Sequence, residues 1–220
     1  AAKYGADAGT SDAHGIIQGL QTSDYTKAIS LLKNKDEFKF KTLVVPGINQ
    51  ELHGTTINTI ISNTTFRGDS LFVADLVPYN SSETTIKNEA EELDSSYAAA
   101  YWPWAQVFSS ELNKNVWCPA SVIVPGVFAK NDSIAAPWFA PAGETRGRLG
   151  RSVTKVEKKL SKTQRDNLYT SKINPIATFP DTGLVIFGQK TLQQAASALD
   201  RVNVRRLLLD VKDTIGGFAD

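Results

Sequence analysis

The sequence predicts an α/β fold: a mainly parallel sheet flanked by helices. Two apolar runs, FKFKTLVVPG at residues 38–47 and SLFVADLVPYN at 70–80, have the length of strands and lack polar alternation over most of their course. Strands buried on both faces read this way. Each run is followed by a segment with helical character, at 55–63 and 84–93, and the connections are short. Strand, helix, strand, helix in that order builds a parallel sheet.

Taken in order, residues 1–21 are rich in Gly, Ala, Asp and Ser without periodicity and read as loop or linker. Ser23 or Asp24 can cap a first helix whose Tyr25, Ala28, Ile29 and Leu32 share one face. Ile57, Ile60 and Ile61 form the stripe of the second helix, and residues 84–93 read as an acidic, exposed third. Residues 97–108 are aromatic and strand-like, and VWCPASVIVPGVFAKND at 116–132 begins as a strand before a proline-initiated helix. A Pro/Gly loop is expected at 138–151.

Composition shifts near residue 155, where a basic, polar stretch runs to Arg165. We therefore divide the chain into an α/β unit at 1–158 and a smaller α+β unit at 159–220. The second holds a short helix to Tyr169, a strand at 183–188, a helix at 192–199 and a last helix capped by Asn203. Val204, Leu207, Leu208, Val211 and Ile215 form the apolar stripe of that last helix. The unit is too small to close a core alone, so it is docked on the first or completed by further residues.

Composition narrows the function. Hydrophobic residues make up 41% of the 220-residue chain, enough for a sizeable core. Lys plus Arg total 24 against 23 Asp plus Glu, which excludes the basic excess of a dedicated nucleic-acid binder. Cys118 is the sole cysteine, so no internal disulfide exists and a reducing cytosol suits folding. The longest apolar stretch, 121–129, is too short to cross a bilayer and is broken by Pro125 and Gly126. No signal-peptide pattern opens the chain. It contains no methionine, from which we expect a processed or engineered piece of a longer product.

Three tripeptides, Gly9-Thr10-Ser11, His53-Gly54-Thr55 and Asp181-Thr182-Gly183, resemble the triad boxes of subtilisin-like serine proteases. Their order is Ser, His, Asp, the reverse of the subtilisin order, and Ser11 lies in a loop rather than opening a helix. Cys118 could instead act as a nucleophile with His14 or His53, but a lone cysteine after an aromatic strand is more often a small buried hydrophobe. No metal-ligand spacing exists, and no cofactor motif is present. GETRGRLG at 143–150 could cradle a phosphate with Arg146, Arg148 and Arg151; with no clear helix after it, a protein-contact loop is the better reading. Lys155, Lys158, Lys159, Lys162 and Arg165 form either a solvated face or a patch for an acidic partner.

Several segments then line up with one family. AAAYWPWAQV (98–107), CPASVIVPGVFAKND (118–132), APWFAPAG (136–143), LSKTQRDNLYTSKINPIATFPDTGLVIFGQKTL (160–192) and VNVRRLLLDVKDTI (202–215) occur in the order and spacing of contractile tail sheath proteins of phages and related injection machines. The chain resembles that family well over 95–215. The resemblance implies a subtilisin-like first unit without a protease site, and from residue 159 the start of an inner, C-terminal sheath domain, cut short. It implies no enzymatic activity. It also implies self-assembly into hexameric rings stacked helically around a tail tube, with baseplate and tail terminator proteins as further partners and neither nucleic acid nor membrane insertion. The virion tail, assembled in the host cytoplasm, is the implied location. Arg146, Arg148, Lys158, Lys159, Arg205 and Arg206 are then candidates for a subunit or tube interface. Two competing readings are a cytosolic α/β hydrolase using Cys118 or Ser11, and a monomeric carbohydrate- or protein-binding module on a virion surface.

Overall fold

The structure, a computed structural model, describes residues 16–17, 20–136 and 138–216. Two short strands, β1 (Ile16–Ile17) and β2 (Leu20–Gln21), pair antiparallel and lead into α1 (Thr22–Leu31). This helix begins ahead of the expected caps Ser23 and Asp24, and Ile29 is its buried anchor. The core sheet follows from β3 (Thr42–Asn49), α2 (Gln50–Arg67), β4 (Leu71–Asp75), α3 (Glu83–Glu91) and β5 (Ala98–Trp102). Strands β3, β4 and β5 pair parallel, as the apolar runs require. The Pro46-Gly47 pair does not end β3; the ladder shifts register between Val44 and Asn49, and Gly47 takes a φ of 97° there.

The expected continuous strand over 97–108 is two strands in two sheets. Pro103 has no N–H to continue a ladder, and beyond it β6 (Ala105–Ser109) pairs with β7 (Lys114–Cys118) in an antiparallel hairpin. Helix α4 (Ala120–Ile134) starts after Pro119, as the sequence predicted. Within the expected loop at 138–151 sits a single turn, α5 (Gly143–Arg146). Strand β8 (Val153–Val156) then joins β6 on its other side, so the small sheet runs β7-β6-β8.

Helix α6 (Lys162–Thr170) opens on a capping box in which Ser161 and Gln164 exchange hydrogen bonds. It leads to β9 (Ile173–Phe179) and β10 (Gly183–Ile186). Sequence reading had no strand at 173–179, yet β9 pairs parallel with β5, and β10 closes the edge antiparallel. The sheet order is β10-β9-β5-β4-β3. It crosses the expected division after residue 158 without a break, because strands from both sides of that point share one ladder. The helix expected at 192–199 is a loop followed by a single 3₁₀ turn at Ala198–Asp200. Last comes α7 (Val202–Gly216), which includes Asn203 rather than being capped by it; the Asn203 amide donates to the Trp138 carbonyl.

Period-two alternation divides the core. Phe72, Ala74, Ala98, Ala100 and Trp102 point to the face covered by α1, α2, α3 and α6. Leu71, Val73, Ala99 and Tyr101 point to the other, under α4 and α7. Arg67, only 1% exposed, ends α2 inside the first layer. It pairs with Asp69 at 2.8 Å and donates to the carbonyls of Leu32 and Phe38, pinning the segment that enters β3.

Candidate functional site

The carboxyl ends of β3 and β4 are where an open parallel sheet places its chemistry. Asp75, the last residue of β4, is buried there; the Ser121 hydroxyl donates to its carboxylate at 2.5 Å and the Ser121 N–H at 3.2 Å. No cation among the described residues offsets the burial, and desolvation pushes the Asp75 carboxyl up to about 7. Beside it Asn49 caps α2 by accepting from the Leu52 N–H, and its own N–H donates to Nδ1 of His53. Burial holds His53 below the ordinary histidine range.

This cluster is not a hydrolytic site. A triad needs a hydroxyl that donates to the imidazole and opens toward a substrate. Ser121 is fully buried and gives its proton to a carboxylate, and the cavity next to Asp75 holds only about 10 Å³, room for about one water. Asp181 of the triad-like boxes is exposed in the β9–β10 turn, with β9 three strand spacings, about 14 Å, from β3. Ser11 and His14 lie outside the described residues. Cys118 ends β7 half-buried, and desolvation raises its thiol, the opposite of what a nucleophile needs. Asp75 and Ser121 went unnoticed in the sequence because they are 46 residues apart with no shared motif.

The cationic candidates are dispersed. Arg205 is buried, gives its hydrogen bonds to Ser96, and lies 3.9 Å from the Tyr97 ring centroid. Arg206 pairs with Asp132 over the Phe128 ring. Both arginines thus hold α7 within this chain. Arg146 donates to the Ala140 carbonyl and covers Phe139, and Arg148 donates to the Thr182 carbonyl at 2.7 Å. Lys158 reaches the Ser81 carbonyl at 2.5 Å, while Lys159 is exposed. Part of the backbone of 143–150, read in the sequence as a protein-contact loop or a phosphate cradle, is bonded to β10. The Leu149 N–H donates to Leu184, and the Gly147 carbonyl accepts from the Ile186 N–H. A Cβ on Gly147 would stand 2.5 Å from the Ile186 carbonyl oxygen, so glycine permits this approach.

The fold meets its counterparts in known proteins. A family model described as phage tail sheath protein central domain matches residues 18–192. The chain belongs to this sheath family. It is 35% identical over 127 residues to the tail sheath protein of Vibrio phage KVP40, covering 58% of this chain and 19% of that protein. With the tail sheath protein of Enterobacteria phage T4 the identity is 31% over 144 residues, or 66% of this chain and 22% of the relative. The sheath chain thus spans about a fifth of the length of these curated relatives.

Solved sheath structures share the fold. The contracted sheath complex of the extracellular contractile injection system PVC superposes with a TM-score of 0.68 at 22% identity, covering 90% of this chain and 51% of that one. The contracted helical sheath of the anti-feeding prophage gives 0.68 at 23%, covering 90% and 52%. The mixed α/β layer with a mainly parallel sheet is therefore the architecture of a sheath domain.

Proposed function

We propose that this chain is part of a structural subunit of a contractile tail sheath, which polymerises around a tail tube and contracts by rigid-body rearrangement of its copies. The observation that carries the reading is the family match over 18–192, which takes in the whole parallel sheet. Head-to-tail contacts that do not close on themselves give such a helical lattice, and many small gains in contact add into one stroke. Its partners in this reading are further copies of itself, the tail tube, the baseplate and the terminator, and its place is the virion tail, assembled in the host cytoplasm.

The same reading makes the domain a non-catalytic member of the subtilisin-like α/β class. The buried Ser121 and the exposed Asp181 support a role without catalysis. It also moves the division first placed after residue 158. We take the central domain to run at least to residue 192, which the sheet order and the span of the family match both favour, with any inner domain following it.

Negative-stain imaging of the full-length protein with its tube partner tests the assignment. Tubes or stacked rings are expected; persistent monomers at high concentration would overturn it. Treatment with a fluorophosphonate or iodoacetamide probe is expected to give no saturable, pH-dependent labelling of a single residue, and such labelling would restore the hydrolase.

A further inference from the structure

Helix α4 lies between two neighbours. On one side Arg206 of α7 reaches it at Asp132 and Phe128 beside a cavity of about 350 Å³, and on the other a groove of about 290 Å³ separates it from β6 and β8. The molecule thus has a layer running α7, α4, small sheet, and each end of that layer is open.

At the α7 end, Val202, Arg205 and Leu209 face the body and Arg206 faces α4. Leu208, Val211 and Ile215 fall about 170° around the helix from Arg206, at roughly 100° per residue. They are 42%, 42% and 63% exposed. Of the stripe the sequence predicted, Val204 and Leu207 are half-buried, while these three stay open among the described residues. Lys212 flanks it, its amine beside Gly68 at the end of α2 and without a carboxylate partner among the described residues.

At the far end, Val107 lines the groove beside α4, so the alternation of β6 turns Phe108 to the outer face of the small sheet. Phe108 is 47% exposed and Leu112, in the β6–β7 turn, 58%. Glu111 stands exposed between them, in no ion pair with a described residue. One end of the layer is apolar beside a lysine, and the opposite end is apolar beside a glutamate, neither in an ion pair with a described residue. Exposed apolar groups gathered this way mark contact surfaces.

We infer that the β6–β7 hairpin of one copy docks on the outer flank of α7 of the next, with Leu112 and Phe108 against Leu208, Val211 and Ile215, and Glu111 beside Lys212. The occupant is a second copy because the complementary surface is carried by the same chain at the opposite end of the same layer. Such a contact is heterologous, leaving a free hairpin and a free helix flank at the two ends of every oligomer. This inference rests on the sheath reading and gives it a surface.

The test is a disulfide ladder in the full-length protein, with Cys118→Ser and any cysteine outside residues 1–220 replaced. The double variant Leu112→Cys/Val211→Cys, oxidised under assembly conditions, is expected to shift most of the monomer band into a ladder on non-reducing gels. Either single variant alone is expected to stay monomeric, and the two mixed to stop at dimers. Glu111→Lys is expected to slow ladder formation several-fold, and adding Lys212→Glu to restore it. The same samples are imaged. Tubes without a ladder overturn this contact and leave the sheath reading standing; that is also the result if another part of the polypeptide covers α7. A ladder without tubes supports the contact and overturns the sheath reading. Neither tubes nor ladder overturns both, and dimers from a single variant overturn the head-to-tail geometry.

Discussion

The chain crosses at Pro103 from one sheet to another, and the two differ in almost every physical respect. In the five-stranded sheet, β4 and β5 are buried at every residue, sandwiched between two helical layers. In the three-stranded sheet, only Ala105 of β6 and Val156 of β8 are buried, and β7 has no buried residue. The two central strands of the first form a scaffold whose side chains meet only protein. The second meets protein on one face and solvent on the other, and its exposed aromatic and aliphatic groups are free to serve a neighbour. In the contact inferred above, fold stability and assembly fall to different sheets.

Substitutions should separate the two. Phe72→Ala, in the middle of β4, removes a ring that is 1% exposed, and a loss of about 3–5 kcal/mol is expected in denaturant unfolding. A loss below about 1 kcal/mol would mean that the parallel sheet is not the scaffold.

Asp75 is the one carboxylate within the parallel strands. Its group titrates near 3.8 when unfolded and at about 7 when folded, so the folded chain holds the extra proton between those values. Stability from this group is full below pH 3.8 and is lost as pH rises toward and through 7, by on the order of a few kcal/mol. Asp75→Asn should flatten that fall in a series of melts from pH 4 to 8. An unchanged slope would show that the carboxylate is not held neutral.

Asn174 joins the two halves of the sequence. Its amide donates to the Ala100 carbonyl at 3.0 Å and the Lys190 carbonyl at 2.8 Å, and its oxygen accepts from the Lys190 N–H at 2.6 Å. Asn174→Ala strands three backbone groups and should cost about 2–3 kcal/mol, with hydrogen exchange in β9 accelerating more than in β3. Equal acceleration across both strands would show that the amide does not act locally.

The smallest effect sharpens the contrast. Phe108→Ala should change stability by no more than about 0.5 kcal/mol, while reducing assembly of the full-length protein measured by pelleting. A large loss of stability would mean that the small sheet shares the scaffold's role.

Much of the first half was legible because its signals are local. The apolar runs at β3 and β4 needed no partner to be recognised, and Pro119 fixes the start of α4 by its own ring. The later half was harder for a reason visible in β9. INPIATF carries Asn174 and Pro175, two poor strand formers, and becomes a strand because β5 lies beside it and Asn174 bonds across to Ala100. The α7 stripe was legible in the sequence but not what it faces; Val202, Leu209 and Arg205 occupy the buried side, the arginine's charge met by Ser96 and the Tyr97 ring. For the interface candidates, residue type gave the charge but not its surroundings, so Arg205 and Lys159 looked alike although one is buried and the other exposed.

By itself, the sequence determined the class of fold, the main strands of its first half, the proline-led helix and the family, because each is written in neighbouring residues. Only the tertiary structure decided that one sheet takes strands from both halves, that Asp75 meets Ser121, and which face of α7 stays open. Those outcomes depend on which distant segments come to lie side by side, and burial, unlike periodicity, is a property of the neighbours as much as of the residue.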